Sequence, residues 1–152
     1  MGTRSRIAVM HGDNCKSVYC HWDGYLEYNG SILQKHYDSA KANNLVALGD
    51  LSSLKSEIGI QHAFDYHGTE LSADTYEKQF GNMCTFYGRD RGEKNVEFQT
   101  DRSFESFIKR VQATFIEWYY IMQDGVWCVG NVYESDKQFY KKQVPLAEAL
   151  SK

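Results

Sequence analysis

No run of 18 apolar residues occurs in this chain, which removes a membrane-spanning helix from consideration. Basic residues are in the minority: 17 Lys and Arg against 20 Asp and Glu leave a net charge of −3. A domain that holds duplex nucleic acid by its phosphates carries a positive excess, so duplex binding is not expected. Cys15, Cys20, Cys84 and Cys128 form no Cys-x-x-Cys pair. No apolar segment of signal-peptide type follows Met1-Gly2-Thr3-Arg4-Ser5-Arg6, so secretion is not expected and reduced thiols are the default. In that compartment the Asn29-Gly30-Ser31 sequon is silent. Arg6 stands where a myristoylation start needs Ser or Thr, so that lipid anchor is not expected either. No internal repeat and no domain boundary is visible. One domain is expected over residues 1–135, followed by a polar C-terminal extension over 136–152.

What is present is enough for a packed core. Hydrophobic residues make up 42% of 152 positions, which places the chain among globular domains rather than disordered ones. Aromatics reach 14%, with 11 Tyr, and Tyr serves a sheet and a ligand-lined surface equally well. Ile7 and Val9 alternate with polar or small neighbours and read as a first strand. His11-Gly12-Asp13-Asn14 reads as a turn, and Lys16 to Trp22 as the returning strand. Alternation puts Val18, Cys20 and Trp22 on one face of that strand and Ser17, Tyr19 and His21 on the other.

Leu26, Ile32, Leu33, His36 and Tyr37 follow at helical spacing. Ser39 is the expected N-cap of a second helix that Gly49 stops. Residues 68–81 are polar and read as a surface loop. Short strands are expected around Met83 to Tyr87 and Val96 to Thr100. Phe104, Phe107, Ile108, Val111 and Phe115 give the clearest amphipathic helix. Asp124-Gly125 signals a type I′ hairpin between the last two long strands. The expected class is α+β, a single domain with an antiparallel or mixed sheet built from hairpins and two to three helices on one face.

Four separated stretches share one character: Gly2-Thr3-Arg4-Ser5, Tyr19 to Tyr25 (YCHWDGY), Gly49 to Leu54 (GDLSSL) and Tyr87 to Glu93 (YGRDRGE). Together they resemble an uncharacterised family of small proteins encoded by bacteriophages and prophages, over about three quarters of the chain. Residues 66–82 exceed the family pattern, and the tail after Ser135 is an addition to it. The resemblance implies a phage origin and action in the host cytoplasm. It carries over no catalytic residue.

His21 with Asp23 two residues on suits a general base and its orienter, or equally a strand-end His and a turn Asp. A zinc site drawn from His11, Cys20, His21 and His36 lacks ligand spacing, so no metal and no cofactor is expected. Cys20 shares a face with Val18 and reads as core rather than as a nucleophile. Arg89, Asp90 and Arg91 sit between two flexible glycines, a pattern that fits phosphate recognition or a solvated, internally paired loop.

The leading expectation is a phage accessory protein, acting in host takeover or against host defence, that binds a nucleotide-like or phosphorylated host molecule. Its pocket would lie between the HWDGY and GRDRGE segments. Arg4, Arg89 and Arg91 would hold phosphate, Trp22 and Tyr25 would stack, and His21, Asp23 and Asp90 would hydrogen-bond. The alternatives are a protein–protein inhibitor of a host enzyme or defence complex, and a small hydrolase using His21 and Asp23. A homo-oligomer is compatible with each.

Overall fold

The computed structural model describes residues 3–132 and 143–151. The chain begins with a hairpin of β1 (Ser5–His11) and β2 (Asn14–Cys20), in full antiparallel register from Ser5 opposite Cys20 to His11 opposite Asn14. The two-residue turn is Gly12-Asp13, and Gly12 takes φ +60, which a side chain would resist. A π-helical turn, Leu26–Gly30, runs into α1 (Ser31–His36), so the helical spacing from Leu26 is real but is split at Gly30. Asn29 of the sequon is fully buried.

α2 (Ser39–Ala47) buries Ala42, Leu45 and Val46. Its N-cap is Asp38, whose carboxylate accepts from the Lys41 amide; Ser39, the expected cap, is the first helical residue. Gly49 at φ +92 then turns the chain into β3 (Leu51–Ser53).

Residues 68–81 are a surface excursion, as expected, yet they hold structure. Ser72 caps α3 (Ala73–Phe80), none of whose residues is buried; its short stripe of Tyr76 and Phe80 packs on His62. β4 (Thr85–Phe86) and β5 (Gln99–Asp101) follow. Then comes α4 (Phe104–Ala113), capped by Ser103 and burying Phe107, Ile108 and Val111. β6 (Trp118–Gln123) and β7 (Val126–Asn131) form the second hairpin, with Asp124 and Gly125 both at positive φ, as a type I′ turn demands. The chain finishes with β8 (Val144–Pro145) and α5 (Leu146–Leu150).

The sheet is mixed, with order β4-β3-β2-β1-β6-β7-β8, and β5 pairs with β2 beside that path. β1 pairs with β6 in parallel, so everything from β2 to α4 is one long crossover between neighbouring strands. On one face lie Ile7, Val9, Val18, Cys20, Leu51 and Phe86, covered by α1, α2 and α5 through Leu33, Leu45 and Leu146. The opposite face carries Ala8, Cys15, Tyr119 and Ile121 under α4. The α+β class and hairpin sheet thus match the sequence, and three helices do share a face; α4 adds a cover on the other.

The expected boundary between 135 and 136 lies outside the described residues. Beyond it, however, β8 pairs with β7, and Leu146 has no exposed area. This part of the chain closes the core through its apolar residues rather than forming a polar extension. Each such fully buried aliphatic side chain stabilises the fold by roughly 1.5–3 kcal/mol over its exposed state.

Candidate functional site

From Thr3 on, the stretches quoted above run into β1, out of β2, through β3 and out of β4, and β1 to β4 are neighbours in the sheet in that order. Hydrogen bonds stitch them together. Gly24 donates to Thr3 O at 2.7 Å, and Tyr120 Oη donates to Gly24 O at 2.6 Å. A methyl group on Gly24 would stand 2.7 Å from Ser5 Cβ, so only glycine allows this approach. His21 and Trp22 donate to Leu51 O and Ser52 O, extending the β2–β3 pairing past Cys20. Asp50 fills a gap in the β2 edge between β5 and β3, where its Oδ1 accepts from the Tyr19 amide at 2.9 Å. Tyr87 N in turn donates to Asp50 O, at 3.2 Å.

Strand register decides which side chains share a surface. Cys20, Leu51 and Phe86 are mutual partners and all face the α2 side. Their sequence neighbours Tyr19 and His21, Asp50 and Ser52, and Tyr87 therefore point to the other side. Arg6 pairs directly with Tyr19, and one step further Arg4 comes level with His21. α4 covers the far half of this face and leaves this half open. The result is a sheet face carrying Arg4, Tyr19, His21 and Tyr87 in adjacent rows, with Ser52 buried among them.

The Tyr19 hydroxyl lies 2.6 Å from His21 Nδ1. His21 also meets Trp22 edge-on at 4.6 Å between ring centres. Burial and the Arg4 charge lower the His21 pKa and favour the neutral ring, which shares one hydrogen bond with the Tyr19 hydroxyl through Nδ1. Burial raises the Tyr19 and Tyr87 pKa values, keeping both phenols protonated as donors. Tyr87 hydrogen-bonds Ser52 and stacks on Phe64 at 5.9 Å, and the Arg91 guanidinium sits 4.9 Å above the Phe64 ring. Arg91 is loosely held by Glu93 at 3.5 Å, with half its side chain in solvent.

Beneath the face, Arg6 is 5% exposed and donates to Ser17 Oγ and Ser17 O. No carboxylate among the described residues lies within 4.0 Å of it. Burial lowers its pKa and the more distant Asp50 raises it.

The expected site residues divide. Arg4, His21, Trp22 and Arg91 border or line the open face, with Trp22 43% exposed. Trp22 was expected on the core side with Cys20, but β2 ends at Cys20 and the indole turns outward. Tyr25 is 37% exposed and pairs with Tyr28, one step beyond the face.

Arg89 and Asp90 are corrections. The Asp90 carboxylate is fully buried and accepts from the Phe86 and His62 amides and from both Nε and Nη2 of Arg89. Arg89 also donates to Gly59 O and Cys84 O and lies over Phe86, so its fork is consumed in holding residues 59–62 against β4. Asp23 is a turn residue at φ +57 whose carbonyl accepts from Asn29 N. The partner of His21 is Tyr19, not Asp23, which removes the His21–Asp23 dyad. Cys20 is fully buried, and burial pushes its thiol up to about 12, far from a nucleophile.

The expected pocket between HWDGY and GRDRGE takes another form. β3 separates the two segments: Trp22 N donates to Ser52 O, and the Ser52 side chain hydrogen-bonds Tyr87 beside GRDRGE. Cavities of about 500, 400 and 440 Å³ lie elsewhere: between the α1–α2 link and the β6–β7 turn, beside Tyr28 and Lys55, and beside the N-terminus of α4. No group of three His, Cys, Asp or Glu placed to hold a metal occurs among the described residues, and no helix there is long and apolar enough to cross a membrane.

Sequence reasoning missed Tyr19, Ser52, Phe64 and Tyr87. The signal for two of them was present, since alternation set Tyr19 beside His21 and Tyr87 on the outward side of β4. No protein-family model, curated protein or solved structure matches the chain.

Proposed function

We propose that the protein binds a phosphorylated, base-bearing molecule on the open sheet face, in the host cytoplasm and in the service of a phage. The phage setting rests on the four-motif resemblance. The chemistry rests on one observation: the Tyr19–His21–Trp22 ring group, closed by a 2.6 Å hydrogen bond, with the Arg4 charge beside it. The half-exposed Trp22 offers a ring face for a base. Arg4 and Arg91 supply guanidinium forks for phosphate oxygens. The His21 ring and the Tyr87 phenol supply neutral hydrogen-bonding groups. Binding without turnover is the reading, because among the described residues His21 is held by the Tyr19 hydroxyl rather than by a carboxylate.

A thermal-shift screen of the purified protein against nucleotides, cyclic dinucleotides and inorganic phosphate tests this. A ligand at about 100 times its dissociation constant adds about 2.7 kcal/mol of stability. For a chain this size that is a rise of roughly 5–11 °C. The rise disappears in Arg4→Ala and Trp22→Ala if the site is correctly placed. A flat screen with a cooperatively melting protein refutes it and favours the inhibitor reading. Half-exposed Trp22 and Tyr25, three residues apart, would then be the anchor for a host protein.

A further inference from the structure

We infer that the natural occupant of the open face is a short single-stranded nucleic acid rather than a mononucleotide; this rests on the reading above and narrows it. The face carries two ring platforms, not one. The first is Tyr19–His21–Trp22 with Arg4 beside it. The second is Phe64–Tyr87 with Arg91 stacked on Phe64. The first stands at the end of β2 and the second beyond the end of β4, with β3 between them, so two strand spacings separate them, about 9.5 Å.

One base and its phosphates occupy one platform and leave the other empty. A stacked strand advances about 3.4 Å per nucleotide, so three steps carry a chain from the first platform to the second. Each platform has its own guanidinium, which matches a polymer with a phosphate at every step. Between them lie Asp50, whose Oδ1 accepts from the Tyr19 amide, and Ser52, which is buried and hydrogen-bonds Tyr87.

The charge pattern separates this occupant from a duplex. Asp50 lies between the platforms and Glu93 beside Arg91, and the whole chain is acidic at −3, so a row of paired phosphates meets repulsion. Stacking carries the affinity, and only Arg4 and Arg91 contribute phosphate contacts. Two such contacts on a single strand give a slope of about −1.4 in log affinity against log salt.

The experiment is fluorescence anisotropy with labelled single-stranded DNA and RNA 10-mers, a duplex of the same sequence, and unlabelled mono- to hexanucleotides as competitors. Expected are single-strand binding with a shallow salt slope, weak duplex binding, and competitor strength rising at least 10-fold from one nucleotide to four, then levelling. Trp22→Ala and Tyr87→Ala should each weaken the 10-mer by roughly 5- to 150-fold, the worth of one stacked base. Arg91→Ala, at an exposed position, should flatten the salt slope by about 0.7. DNA and RNA arms of equal strength identify the bases and phosphates as the recognised groups; a stronger RNA arm adds the 2′-hydroxyl.

A mononucleotide that competes as well as a tetranucleotide overturns this inference and leaves the small-ligand reading standing. A duplex that binds as tightly as the single strand overturns it as well. No binding of nucleotide or oligonucleotide by the folded protein overturns both.

Discussion

Asp90→Ala separates the structural reading of the YGRDRGE stretch from the ligand reading that its residue types suggest. The Asp90 carboxylate has no exposed area, and its Arg89 partner is 14% exposed, with Nε to Oδ1 at 3.0 Å. Truncation to Ala leaves a nearly buried guanidinium without a counter-charge and the Phe86 and His62 amides without acceptors. Breaking a buried, hydrogen-bonded ion pair from one side costs about 3–5 kcal/mol. That is a large share of the roughly 5–15 kcal/mol that holds a domain folded. With a urea slope near 2 kcal/mol/M, the unfolding midpoint should fall by roughly 1.5–2.5 M. The double variant Arg89→Met/Asp90→Ala should recover part of that loss, because the orphaned charge is gone. Urea unfolding followed by tryptophan fluorescence measures all three. The reasoning fails if Asp90→Ala moves the midpoint by less than about 0.5 M. It fails equally if Arg89→Ala leaves the midpoint in place while abolishing ligand binding, which would return Arg89 to the ligand.

Leu146→Ala should cost about 2–5 kcal/mol, since the side chain is fully buried in the larger core; a melting temperature within a degree of wild type would show that α5 is not part of the folding unit. Phe115 holds φ +58 while 79% exposed, so Phe115→Gly should relieve left-handed strain without loss of packing and stabilise by about 0.5–1 kcal/mol, read as a small rise in calorimetric melting temperature. The lowered His21 pKa means that the unfolded chain binds a proton more readily than the folded one. Stability from this group is therefore present above the unfolded value of about 6.5 and is lost as pH falls through the folded value. His21 should titrate by NMR below about 6.5, and Tyr19→Phe should move its midpoint, because it removes the 2.6 Å hydrogen bond to Nδ1. An unchanged midpoint in that variant would break the Tyr19–His21 assignment.

Local chemistry reached the elements whose signals are local. The two-residue turns at Gly12-Asp13 and Asp124-Gly125, the Phe107–Ile108–Val111 stripe and the Gly49 stop were legible because turn geometry and helical period are written within a few residues. α3 was not legible, since its stripe of Ala73, Tyr76 and Phe80 is short, lies in a polar stretch and buries none of its residues. The parallel pairing of β1 with β6 was not legible either, because no short-range signal spans more than 100 residues.

The same division holds at the site. Alternation in β2 alone set Tyr19 and His21 on one face, and residue types alone marked Arg4, Trp22 and Arg91. Only tertiary structure decided that β3 lies between the HWDGY and GRDRGE segments, so that a pocket became an open face. Only tertiary structure decided that Arg89 is spent on Asp90, Gly59 and Cys84 while Arg91, two residues on, keeps half its side chain in solvent beside Glu93 and Phe64. An arginine's role depends on which acceptors the fold brings within about 3 Å of its fork, and the distant acceptors are set by the register of strands far apart in the chain.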